Sequence, residues 1–99
     1  MKAIYHVHVP NHARQVTLAA HNYVSGGPIR GIHSATVQYG HPHDTLTVVG
    51  EESPELDSHM KQTGAFVGEV ANEPVINVMK TNGKSVAHWP IRNPSYLPH

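Results

Sequence analysis

His41-Pro42-His43-Asp44-Thr45-Leu46-Thr47-Val48-Val49-Gly50 joins a turn crowded with ionisable groups to a β-branched run, and the fold follows from how it is read. The run from Thr45 to Val49 is that of a strand buried on at least one face. Residues 40–44, rich in glycine, proline and aspartate, then form the loop of a hairpin. Its other arm is residues 29–39, a strand carrying Ile32, Val37 and Tyr39 and bulged near Gly31 or Ser34.

Towards the N-terminus, Ala3, Tyr5, Val7 and Val9 alternate with Ile4, His6 and His8 until Pro10 ends the pattern, which is the period-two spacing of a strand. Asn11 offers a helix cap, and Ala13, Val16, Ala20, Tyr23 and Val24 share one helical stripe. Leu18 lies off that stripe and keeps a strand open as the alternative for residues 15–24. Ser25-Gly26-Gly27-Pro28 stops the element, because glycine accepts the left-handed terminal conformation and proline cannot continue a helix. The glycine pair follows a helix, so it reads as a cap and not as a phosphate cradle.

On the C-terminal side, Ser53-Pro54-Glu55 starts a second helix, with serine at the cap and proline at the first helical position. Leu56, Met60 and Thr63 share its buried face. Continuing to Val67 would embed Gly64 and Gly68 at about 1 kcal/mol each relative to alanine. The helix is therefore expected to end near Gly64, leaving residues 65–71 as a short strand or loop. Residues 75–80 and 85–91 flank Asn82-Gly83, a strong short hairpin signal. With that pair at the tip, Val78 faces Ala87, Ile76 faces Trp89 and Asn77 faces His88. Pro90, Pro94 and Pro98 punctuate the remainder, so residues 1–91 are expected as one α+β domain and residues 92–99 as an extended tail or strap.

The order βαββαβ resembles the ferredoxin-like fold, here with an additional C-terminal hairpin strand. In that arrangement both helices cover one face of an antiparallel sheet and strands one and three are central neighbours. Alternation then sends Tyr5, Val7, Val9, Leu46 and Val48 to the helices. His6, His8, His43, Thr45, Thr47 and Val49 go to the open face.

Composition narrows the function classes. A chain of 99 residues buries about two-thirds of its surface and supports a single core. It has no apolar run long enough to cross a bilayer. Met1-Lys2 leads into an alternating segment rather than an apolar stretch, so no secretory signal is expected. Without cysteine there is no disulfide framework, thiolate metal site or thiol nucleophile, and a cytoplasmic location is expected. The net charge of +0 conceals a segregation: every acid lies between Asp44 and Glu73, whereas Lys2, Arg14, Arg30 and most histidines precede them. Sparse lysine and arginine argue against nucleic acid as a partner.

His6 and His8 direct two imidazoles to one side of a strand, which is metal-ligand spacing. His41 and His43 are further nitrogen donors for a divalent cation. Otherwise no cofactor is expected. Asp44 also has a structural reading, bonding nearby amides in the turn. Glu51, Glu52, Glu55 and Asp57 read as solvated charge at a helix start. Trp89 has two readings, as core opposite Ile76 and as a contact residue; Tyr96 and Leu97 in the tail are the other partner-binding candidates.

His43-Asp44-Thr45-Leu46 resembles the H-x-T-hydrophobic signature of the two-histidine phosphoesterases. The resemblance implies His43 as acid/base and Thr45 as phosphate ligand. That family carries two such motifs; this chain has one, so His6 or His8 would have to serve as the second acid/base. Small size and the incomplete catalytic set instead favour a non-enzymatic interaction module of inhibitor or adaptor type. A phage or mobile-element accessory protein fits that profile, working by protein contact and dimerising through the open sheet face. A phosphoesterase-like enzyme using His43 and Thr45, and a histidine-based divalent-metal protein, are the alternatives.

Overall fold

The alternation in the first strand sets the sheet. In the computed structural model, which describes residues 1–27 and 29–93 without the side chain of Ala13, β1 (Lys2–Pro10) buries Ala3, Tyr5, Val7 and Val9 completely. Chain order continues with one turn of 3-10 helix (Asn11–Ala13), α1 (Arg14–Ser25), β2 (Ile32–Gln38), β3 (His43–Glu51), α2 (Pro54–Val70), β4 (Val75–Asn82) and β5 (Ser85–Arg92). The five strands lie in the order β2-β3-β1-β4-β5, antiparallel throughout. This is the ferredoxin-like α+β arrangement with one extra strand at the β4 edge. Helix α1 packs on β2 and β3, helix α2 on β4 and β5. The core between helices and sheet joins Tyr5, Leu46, Val48, Leu56, Met60, Val67 and Val78. Each such side chain contributes about 1.5–3 kcal/mol by leaving water.

Several boundaries differ from the sequence expectation. Helix α1 begins one residue beyond Ala13 and buries Val16, Thr17, Ala20 and Val24, while Leu18 and Tyr23 stay largely exposed. Asn11 does not cap it: its side-chain amide is spent on the Gly40 carbonyl and on His41 across the β2–β3 loop. Strand β2 starts at Ile32, three residues later than expected, with its irregularity between Ile32 and Ser34. Strand β3 starts two residues earlier, at His43, which pairs with Pro10.

The second helix departs most. Ser53 caps it as expected, its hydroxyl accepting the Leu56 amide proton at 3.0 Å. The helix then runs through Gly64 and Gly68 to Val70, so residues 65–70 are neither strand nor loop. Those glycines are where α2 meets the sheet. A Cβ on Gly64 would stand 2.7 Å from Val78 Cγ2, and one on Gly68 3.2 Å from Ile76 Cγ1. Close packing outweighs the propensity cost that argued for an early end.

The last hairpin also turns one step later. Asn82 pairs with Ser85, leaving Gly83-Lys84 as the two-residue loop, with Gly83 at φ +80°. Glycine at the first central position is the type II′ pattern rather than Asn-Gly type I′. Every partner therefore shifts by two: Val78 faces Trp89, Ile76 faces Ile91, Lys80 faces Ala87, Asn77 faces Pro90 and Met79 faces His88. A shift of two leaves the faces unchanged. Strand β5 ends at Arg92, and Asn93 beyond it is buried, its side chain donating to the Gly68 carbonyl at 3.1 Å. The tail candidates Tyr96 and Leu97 lie outside the described residues.

Candidate functional site

The open face of the sheet carries the histidines where the alternation put them. His8 lies opposite Thr45 and His6 opposite Thr47. The second rung extends from Thr36 through Thr47, His6 and Met79 to His88, across all five strands. His43, two residues before Thr45 on the same side, brings its ring to 4.5 Å from that of His8, inclined at 53°. Both imidazoles are half-buried and line a depression of about 280 Å³ with Pro10, Asn77 and Glu73. Burial, and then the charges of His43, His6 and His88, hold His8 below the usual histidine range. His6 Nδ1 is buried with no hydrogen-bond partner among the described residues.

His41 does not join this group; it is held in the loop by Asn11. Among the described residues no three His, Cys, Asp or Glu side chains converge on a metal position. The expected ligand set His6, His8, His41 and His43 is corrected accordingly. Asp44 has the structural role. It points to the helix side, fully buried, and accepts from the Thr17 hydroxyl at 3.0 Å and the Gly40 amide at 3.1 Å. The H-x-T element thus presents His43 and Thr45 on the open face while Asp44 ties the hairpin loop to α1.

Two polar groupings on the helix side were not anticipated. Lys80 continues the inward parity of Ile76 and Val78 and is 8% exposed. Its ammonium sits 2.8 Å from Asp57 Oδ1 and 3.3 Å from Glu52, and the Tyr5 hydroxyl donates to the same Asp57 oxygen at 2.6 Å. Burial works against the charge on Lys80, but the hydrogen bonds and charges of Asp57 and Glu52 outweigh it and raise the lysine above its ordinary range. Burial and Asp57 likewise drive the Tyr5 phenol far upward. Trp89 borders this group as part of the core rim, its ring 6.0 Å from Tyr5 and 4.7 Å from the Lys61 ammonium. The core reading of Trp89 holds, with Val78 rather than Ile76 as its strand partner.

The other grouping is a cleft of about 360 Å³ at the first turns of α2, lined by Ile29, Pro54, Glu55, Ser58, His59 and Gln62. His59 is 4% exposed and stacks on Tyr23 at 4.9 Å, while its Nε2 is buried without a hydrogen-bond partner among the described residues. Gly27 lies over it so closely that a Cβ there would come within 3.3 Å of Nε2. Burial lowers the His59 pKa, favouring a neutral imidazole. Its position three residues after Leu56, on the apolar stripe, was the sequence sign of this buried histidine. The cleft offers the edge of the His59 ring, two apolar contacts, one carboxylate, one hydroxyl and one amide. That set suits a planar heterocycle attached to a polar or cationic group.

No protein-family model and no curated protein sequence matches the chain. Among solved structures, a phage SAM lyase in complex with S-methyl-5'-thioadenosine superposes on it with a TM-score of 0.54. The match covers 97% of this chain and 92% of that one, at 10% sequence identity. At that identity the likeness speaks for the fold. It nonetheless overturns the expectation of a non-enzymatic inhibitor or adaptor acting by protein contact: the small scaffold on which that expectation rested is, over nearly its whole length, the scaffold of an enzyme.

Proposed function

We propose that this protein is an enzyme acting on an S-adenosyl sulfonium such as S-adenosylmethionine, cleaving a carbon–sulfur bond to release S-methyl-5'-thioadenosine. The observation that carries the reading is the end-to-end superposition on the phage SAM lyase. Charge selects the location. A sulfonium is a fixed cation, and the cleft at the start of α2 presents the Glu55 carboxylate beside the His59–Tyr23 stack. In this reading the edge of the His59 ring meets the adenine, Glu55 faces the sulfonium, and Ser58 and Gln62 bond the ribose or the amino-acid arm.

The chemistry asks little of the protein in proton transfer. When the bond from sulfur to the four-carbon arm breaks, both electrons stay on sulfur, which leaves as a neutral thioether. The arm closes on its own carboxylate as an internal ester, with no proton transferred, or passes a neighbouring proton to the Glu55 carboxylate and becomes an alkene. Neither route consumes water, so the contribution of the site is orientation and exclusion of solvent.

Incubating the purified chain with S-adenosylmethionine at neutral pH and following products by mass spectrometry tests this. Stoichiometric S-methyl-5'-thioadenosine is expected, together with one four-carbon product whose mass and spectrum distinguish the two routes. Glu55→Gln is expected to lower kcat/KM by about tenfold or more, a loss of about 1.4 kcal/mol in transition-state binding, with the folded state intact. Absence of product, together with no calorimetric binding of either compound, defeats the proposal.

A further inference from the structure

We infer that the uncovered face of the sheet is a homodimer interface, closed by the same face of a second copy of this chain and opened when its histidines take up protons. Both helices pack on one side of the five strands, which leaves the other side open. One row across that side runs Ser34, Val49, Ile4, Thr81 and Val86. The next, in the middle of the face, runs Thr36, Thr47, His6, Met79 and His88. Ile4 is 37% and Val86 56% exposed, and Ile4 and Val49 border an apolar depression of about 420 Å³. Five strands of 7 to 9 residues, about 4.8 Å apart and rising about 3.4 Å per residue, make a face of roughly 600 Å². Two such faces in contact bury about 1,200 Å², which is enough for a specific interface.

Charge selects a second copy as the occupant. A twofold axis through the middle of the face sets residues there against their own counterparts, so a fixed charge at that place would repel its copy. The middle row has none while its imidazoles are neutral. Fixed charges lie at the ends: Lys2 and Glu51, with the N-terminal ammonium and His33 on Glu51, at one end, and Arg92 and the Glu73–His12 pair at the other. Lys80, Asp57 and Asp44 belong to the helix side. Acid reverses the balance. His6, His8, His43 and His88 share the face, His43 is in ring contact with His8 at 4.5 Å, and the residues paired with them, Thr45, Thr47 and Met79, bring no carboxylate. Glu73, at the rim of the His8–His43 depression, is engaged by His12 at 3.5 Å. Protonated in both copies, these rings meet like charges across the interface.

Light scattering on the full chain as it elutes from a sizing column, at micromolar concentration, tests this. At pH 7.5 a mass twice the 10.8 kDa of one chain is expected. At pH 5.5 the single chain should appear, the dissociation constant having risen about tenfold or more. Thr47→Arg and His88→Arg each place a permanent cation in the middle row. Both should give the single chain at pH 7.5 with the amide spectrum still dispersed. Joint replacement His8→Gln and His88→Gln should hold the pair together at pH 5.5. A single-chain mass for the wild type at pH 7.5 overturns the interface, as does an assembly that keeps its mass in both arginine variants. A wild-type pair that persists at pH 5.5 overturns the release by histidine. The cleft proposal is untouched by these results, because its readout is product formation.

Discussion

The two faces of one sheet treat their polar residues in opposite ways. Against the helices, Asp57, Lys80, Tyr5 and Glu52 are closed into one network with contacts of 2.6–3.3 Å, and Asp44 is tied to Thr17 and the Gly40 amide. On the uncovered side, His6 keeps a buried nitrogen without a hydrogen-bond partner among the described residues, and the ring contact of His8 is with His43. Groups that hold the fold have their hydrogen bonds satisfied by the chain; groups available to a ligand do not. His59 is the exception that marks the cleft. It lies on the covered side among fully buried Leu56 and Met60, yet its Nε2 has no hydrogen-bond partner among the described residues.

The largest expected effect breaks the network. Asp57→Ala leaves the Lys80 ammonium, 8% exposed, with Glu52 alone and strips the Tyr5 hydroxyl of its acceptor. Removing one member of such a pair should cost about 2–4 kcal/mol in urea unfolding. Thr47→Ala, on the opposite face of the same sheet, should stay within about 0.5 kcal/mol. Equal losses would mean that the two faces do not differ in this way.

A smaller effect concerns the loop that presents His43. Asp44→Ala should cost about 1–3 kcal/mol, since the buried Thr17 hydroxyl and the Gly40 amide both lose their acceptor. Urea unfolding checks this, and a loss no larger than that of Thr47→Ala would show that Asp44 does not hold the loop to α1.

These contrasts show what could be read from the residues alone. Side-chain period two assigned Tyr5, Val7, Leu46 and Val48 to one face and His6, His8, Thr45 and Thr47 to the other, and every one of these lies where it was placed. The extent of α2 was not legible. The cost of Gly64 is local, whereas its benefit is contact with Val78 and Ile91, residues on strands far along the chain. The hairpin register failed for a related reason: Asn82-Gly83 and Gly83-Lys84 are both acceptable loops, and pairing along the whole ladder selects between them. Among the site residues, His43 and Thr45 were visible because they share a motif and a parity, and His8 because the alternation of its own strand sends it to the same face. Asp57 looked like solvated helix-start charge, since its partner Lys80 is brought to it by the fold. His59 carries no sequence sign beyond its place on an apolar stripe.

Acidification probes both faces at once, with a smaller effect than either substitution. His8 and His59 are held below the ordinary histidine value of about 6.5, His8 by burial and then by neighbouring imidazoles, His59 by burial. Just below that value the unfolded chain binds more protons than the folded one. The stability these groups contribute is therefore fully present above about pH 6.5 and is lost as pH falls through their lowered values. The melting temperature should be lower at pH 5.5 than at pH 7.5, and His8→Gln and His59→Phe should each reduce the drop. A drop of the same size in wild type and in both variants would show that neither imidazole is its source.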